Sequence, residues 1–157
     1  MTALNHRLQQ TIIDADGRYL SGDELLPLEN YLGTYPRRLE AYQEISQKSN
    51  ELVLAALRKF ARVHPEIIQH SGKRCQFDMS QVLQYMALAL LLDDEFMFRE
   101  KMMFWLDTML RAHHKQEACS KAYHHLQEAI QSNLTANTTE LVRPLINIVF
   151  ESLQSYT

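Results

Sequence analysis

Cysteine, glycine and proline are scarce: two, four and four among 157 residues. Two cysteines, Cys75 and Cys119, are too few for a disulfide framework and suit a reducing compartment. So little Gly and Pro, with few runs of Val, Ile and Thr, argues against a sandwich of short strands and for helices. A basic surplus is missing too: sixteen Lys and Arg stand against nineteen Asp and Glu, a net charge of −3. Chains that track phosphate backbones carry such a surplus, so no nucleic acid is expected as partner. The start, MTALNHRLQQ, lacks the apolar stretch of a secretory signal. Without export, the glycosylation triplets at Asn133 and Asn137 are loop residues. The longest apolar run, Val82 to Leu92, is interrupted by Gln84 and falls far short of a membrane span. There is no Gly-rich phosphate loop, G-x-S-x-G, H-E-x-x-H or C-x-x-C, so the commonest enzyme signatures are excluded.

What is present is an ordinary globular balance, 46% hydrophobic and 22% charged. At this length a single core buries roughly 70% of the unfolded chain's surface. Leu4, Leu8, Ile12 and Ala15 predict a first helix from Thr2 to Asp16, stopped at Gly17. Ser21 with Glu24 reads as a capping box for a second, Gly22 to Leu32, with Gly33 closing it. Thr34 and Pro36 open a third reaching Arg62, and Pro65 starts a short turn through Gln69. The stretch His70 to Arg74 reads as a polar, basic loop. Cys75 to Leu92 follows as a helix apolar on nearly every side of its second half, the mark of a central, buried element. Asp93-Asp94 break it, and further helices span Glu95 to Ala112, Lys115 to Gln131 and Thr139 to Ser155. Seven or eight helices and no strand predict one all-α domain in the cytoplasm.

Few side chains group into chemistry. His113-His114 and His124-His125 are too far apart to share one metal, and His124 with Glu128 is a pair, short of a site, so a solvated helix face is expected. His64 precedes a proline and His70 falls in the loop, so neither is placed for a haem. Met79, Met86, Met97, Met102, Met103 and Met109 read as core filling, as does Trp105 with Phe98. Cys75 and Asp78 remain. At i and i+3 they share one helix face, after the cations Lys73 and Arg74. A thiol at a helix start beside two cations favours thiolate, and an acid in that turn accepts hydrogen bonds or complements the helix dipole. Cys119 falls mid-helix and has neither feature.

At these residues the chain resembles the phycobiliprotein family, the light-harvesting subunits of the phycobilisome. Cys75-Gln76-Phe77-Asp78, continuing through Leu83, Tyr85, Ala89, Leu91 and Asp94, is similar to the family's chromophore helix. Asp14-Ala15-Asp16-Gly17-Arg18-Tyr19-Leu20 resembles its A-D-x-x-G-R-Y-L connection, and Ile45-Ser46 with Leu52-Val53 a third segment. The resemblance implies a globin-like bundle with two extra N-terminal helices: residues 1–33 as a helical pair for association, 34–157 as the globin-like body. It implies a bilin, an open-chain tetrapyrrole such as phycocyanobilin, held by a thioether at Cys75, with Asp78 on its pyrrole nitrogens. Lys73, Arg74 and Tyr85 complete the expected binding set. No enzyme activity is implied, because the cofactor absorbs light and the protein tunes it.

The same comparison marks departures. Phe77 stands where the family has an arginine for a bilin propionate, and Gln84 where it has one that pairs with a partner's aspartate. The expected partners are a second copy or related phycobiliprotein-like chains, docked through the N-terminal helices. The expected location is cytoplasmic, peripheral to the thylakoid through the phycobilisome. Two alternatives stand beside this: a pigment-free phycobilisome-related interaction or regulatory protein, and a haem- or ligand-binding globin-type sensor.

Overall fold

A computed structural model describes residues 5–113 and 116–154, and within them all side chains but those of 103, 106, 107, 109–113 and 116. Six helices account for nearly all of this: α1 (His6–Ala15), α2 (Gly22–Val63), α3 (Pro65–Leu92), α4 (Glu95–His113), α5 (Gln116–Asn133) and α6 (Ala136–Gln154). No strand occurs among the described residues. The expectations for Leu4, His113, His114 and Lys115, and for the side chains of Met103 and Met109, fall outside the described residues.

The expected stops at residues 16–17 and 93–94 are real. Asp16 (φ 48°) and Gly17 (φ 80°) turn left-handed after α1, and Asp93 (φ 52°) does so after α3. Asp residues tolerate this conformation because their short polar side chains bond locally.

Two expected breaks are absent. α2 runs unbroken through Pro27, Gly33 and Pro36, so the second and third predicted helices are one. An interior proline removes a hydrogen bond and crowds the preceding turn, about 3 kcal/mol. Two side chains bond carbonyls in the turn before Pro36. Thr34 Oγ1 donates to Asn30 O at 2.9 Å, and Arg38 Nη2 donates to Tyr31 O. At the other end of the helix the Ser21–Glu24 capping box forms as expected. Arg18 forks onto Glu24 at 2.6 and 2.8 Å, and with the Ser21 N–H holds that carboxyl down at about 2.

The second absent break is the basic loop. Residues 70–74 are helical and lie inside α3. Nothing there demands a left-handed backbone, and Ile67 and Ile68 pack on the core, which anchors the segment in helix. Gly72 lies against Ile68, where a Cβ would meet Cγ2 at 3.2 Å. Tertiary packing outweighs the ~1 kcal/mol that glycine costs a helix.

α2 and α3 run antiparallel from the His64-Pro65 joint, and their packing is the most extensive in the molecule. α5 lies on α2, and α6 closes the body against α4, α5 and α2. Met79, Val82, Leu83, Met86, Ala87, Ala89 and Leu90 of α3 are buried, so its second half is the central element expected. Leu88 and Leu91 are only half-buried, on the side of α3 that no helix covers fully. Met79, Met86, Met102 and Phe98 fill the core as read from the sequence.

A buried arginine and a half-buried acid lock the long helices. Arg38, 3% exposed, caps the end of α3 by donating to Leu90 O and Leu91 O, and lies 4.3 Å over the Tyr31 ring. Glu44 accepts from Thr138 Oγ1 (2.6 Å), Thr135 Oγ1 (2.9 Å) and Thr135 N (3.0 Å), and pairs Lys48. Lys48 in turn donates to Asn133 O at 2.6 Å. This latch carries α2 across to the α5–α6 turn. The triplets at Asn133 and Asn137 therefore belong to a structural knot.

α1 is held by its first residues. Asn5 Oδ1 accepts from Leu8 N while Asn5 Nδ2 donates to Asp93 O, and the rings of His6 and Phe96 stack at 4.4 Å. Its far end leaves Ile12 and Ile13 more than half exposed, 52% and 58%.

Candidate functional site

Cys75 and Asp78 lie on one face of α3, a turn apart, as the spacing requires. Their surroundings differ from the expectation. Because α3 begins at Pro65, Cys75 stands roughly three turns inside it. A helix terminus acts only over its first turn, so it does not favour thiolate there. Arg74 does not turn to the thiol either. Its Nε lies 3.0 Å from Asp78 Oδ1 and 3.1 Å from Oδ2, and its guanidinium is 5.8 Å from the Phe77 ring. Lys73 is exposed, two residues before Cys75 and so on a different face. Tyr85, two turns beyond Asp78, is half-buried and packs on the core. Of the five predicted site residues, Cys75, Asp78 and Arg74 come together; Lys73 and Tyr85 do not join them.

The Asp78 carboxylate is buried, whereas Arg74 is largely in water. A buried carboxylate keeps its charge only with donors around it, and Arg74 supplies one. Cys75 is half-buried, with its thiol free of any disulfide.

α5 supplies what the sequence reading missed. Cys119 lies in the first turn of α5, not in mid-helix, and Tyr123 follows one turn later. The phenol of Tyr123 is buried, and its pKa is held well above the usual value by that burial first, then by Cys119, Asp78 and Cys75. Tyr123 thus lies within electrostatic reach of Cys119, Asp78 and Cys75. The signal was in the sequence. Cys119, Ala122, Tyr123, Leu126 and Ile130 form an inward stripe at helical spacing.

His124 and His125 lie at the surface of α5, exposed and half-buried. His125, not His124, meets Glu128, at 3.2 Å, and His124 stacks on Phe150 at 4.3 Å. No cluster of three metal-ligating side chains occurs among the described residues. His64 lies against Phe60 with its ring centroid at 5.0 Å, and His70 is exposed on α3. A separate hollow of about 370 Å³ opens between α2 and α3, lined by Tyr42, Ile45, Leu83, Gln84 and Leu88. No helix of the described residues is long and apolar enough to cross a membrane.

An all-α, globin-like body with a half-buried thiol one turn from a buried carboxylate has the architecture of a phycobiliprotein. The comparisons with known proteins agree. The family model described as "Phycobilisome protein" matches residues 11–153, so the chain belongs to the phycobilisome protein family. It is similar to the allophycocyanin alpha-B chain of Cyanidium caldarium, 34% identical over 67 residues. That alignment covers 41% of this chain and 41% of the relative, so the chain matches well under half of the relative's length.

Proposed function

We propose that this protein is a non-enzymatic binding module of the phycobilisome that carries one open-chain tetrapyrrole on Cys75. The observation that carries the reading is the pairing of a half-buried Cys75 with a buried Asp78, one turn apart on one face of α3. The residues fit such a group. The thiol forms a thioether by adding its S–H across a double bond of the tetrapyrrole, and the buried carboxylate accepts pyrrole N–H bonds. When bound, the tetrapyrrole absorbs visible light; the protein fixes its shape and surroundings. Lys73 and Arg74 are the cations available to propionates in place of the arginine that Phe77 replaces, Arg74 by leaving Asp78.

The module works on the cytoplasmic side and associates through α1 and the start of α2. Ile12, Ile13, Leu26 and Leu32 are exposed there. A second copy is the favoured partner, because Gln84 at the α2–α3 hollow lacks the charge that would pair with a related chain's aspartate.

Co-production with a phycocyanobilin-synthesis system and an attachment enzyme tests the pigment. Denaturing gels stained with zinc should fluoresce for wild type and for Cys119→Ala, and stay dark for Cys75→Ala. A wild-type band that stays dark sinks the reading. It would favour a pigment-free interaction protein, for which the Arg74–Asp78 ion pair is the supporting observation. A Soret band would replace both with a haem-binding sensor.

A further inference from the structure

The charges of this chain are sorted by position. Residues 5–33 carry five acids and two bases, whereas residues 58–74, on either side of the His64–Pro65 joint, carry five bases and one acid. Some are already taken: Glu24 by Arg18, Lys59 by Glu128 and Arg74 by Asp78. The rest are exposed and open to a partner. Asp16, Asp23 and Glu29 pair with no cation among the described residues, and Arg58, Arg62 and Lys73 with no acid. Both regions also expose apolar side chains. Leu26 and Leu32 are 52% and 62% exposed in the first, and Val63 and Phe77 are 65% and 54% exposed in or beside the second.

The two regions cannot meet within one molecule. α2 carries the acidic stretch on its first turns and the basic one on its last, and its 42 residues make about 60 Å of helix. α1 stays at the acidic end, tied through Asn5 and His6 to Asp93, Asp94 and Phe96. A symmetric pairing of two such ends is also disfavoured, because it sets acid against acid. Resting on the proposed association through α1 and the start of α2, we infer that these helices dock on the basic α2–α3 corner of a second copy, head to tail. Opposite charges steer the approach and fix its polarity. The exposed leucines then bury against Val63 and Phe77, an apolar centre within a charged rim. Each copy keeps one surface of each kind free, so the contact repeats into a ring or a filament. Arg58 and Arg62 carry the docking, since Lys73 is a cation of the Cys75 site.

Sedimentation velocity of the full chain at tens of micromolar tests this. Arg58→Glu/Arg62→Glu and Asp23→Arg/Glu29→Arg should each weaken association roughly tenfold or more, because two attractions become two repulsions. Arg58→Gln/Arg62→Gln, which puts no acid at the end of α2, should fall between them and wild type. Added salt should weaken wild-type association. Mixed in equal amounts, the two reversed chains should associate again, because the native corner of one meets the native acidic end of the other. Corner-reversed protein that associates as wild type does overturns head-to-tail docking, while association through α1 survives. So does a mixture of reversed chains that stays monomeric. Wild-type protein that is monomeric at that concentration overturns the association reading itself, and the docking with it.

Discussion

Arg38 offers the sharpest test of how the long helices are joined. Its guanidinium is buried, yet no carboxylate pairs with it among the described residues. Its charge is answered by the negative end of α3, through Leu90 O and Leu91 O, by Tyr31 O, and by the Tyr31 ring. The last carbonyls of a helix have no intrahelical donor, so Arg38 does for α3 what a C-cap does. Hydrogen bonds to a charged group contribute about 1.5–3 kcal/mol each. Two strong ones, less the cost of burying the charge, leave about 3 kcal/mol at stake in Arg38→Ala. That is a large share of the 5–15 kcal/mol typical of a domain. Urea unfolding should show a lower midpoint at unchanged slope, and the melting temperature should fall roughly 6–12 °C. Arg38→Lys keeps the charge but not the fork, and should lose about half as much. An alanine variant within about 0.5 kcal/mol of wild type, a typical surface effect, would refute the reasoning.

Core truncation should concentrate where α3 is enclosed: Leu83→Ala or Met86→Ala should each cost about 2–5 kcal/mol by denaturant titration, and Leu88→Ala clearly less. Burial works to raise the pKa of Glu44, but Thr138, Thr135 and Lys48 bring it below the usual carboxylate value. Its contribution is therefore complete above about pH 4.5 and lost as the pH falls through the lowered value. Glu44→Ala should flatten that acid limb of a stability-versus-pH curve. Ile13→Asp should shift wild-type sedimentation toward monomer at tens of micromolar without lowering the melting temperature of the monomer; wild-type protein already monomeric there would rule out association through α1.

Helix content, the left-handed stops and the buried half of α3 were legible because they rest on local signals: an aspartate or glycine after a periodic run, or an apolar face all the way round. The two missed continuities share one cause. Pro36 and the 70–74 segment look like breaks locally, and only distant groups decide otherwise. Arg38 spans from the proline turn to Leu91, and Ile67 and Ile68 hold the glycine-bearing turn on the core. The site was legible along α3 and illegible across to α5. Spacing shows that Cys75 and Asp78 share a face; it does not show which helix that face meets. Cys119 reads from the sequence as a mid-helix thiol, and the structure puts it in the first turn of α5.

Arg74 raises the last question, which is what happens to its bond with Asp78 when a ligand arrives. One carboxylate offers about four acceptor positions, and Nε sits between the two oxygens at 3.0 and 3.1 Å. Inner pyrrole N–H groups need the same atoms. The arginine is the mobile member, since its side chain is 60% exposed against 8% for the aspartate. Swinging it into water costs little, because a pair with one member in solvent is worth about 1–2 kcal/mol at most. On the proposed function, a tetrapyrrole would therefore displace Arg74 and release it for a propionate. Arg74→Gln should lower the urea midpoint of the unliganded protein, where the guanidinium supports a buried charge. After phycocyanobilin attachment that penalty should shrink to near zero at low pigment charge, as with the propionate esters. Equal penalties in the unliganded protein and the loaded ester would show that Arg74 stays on Asp78, and displacement would be wrong.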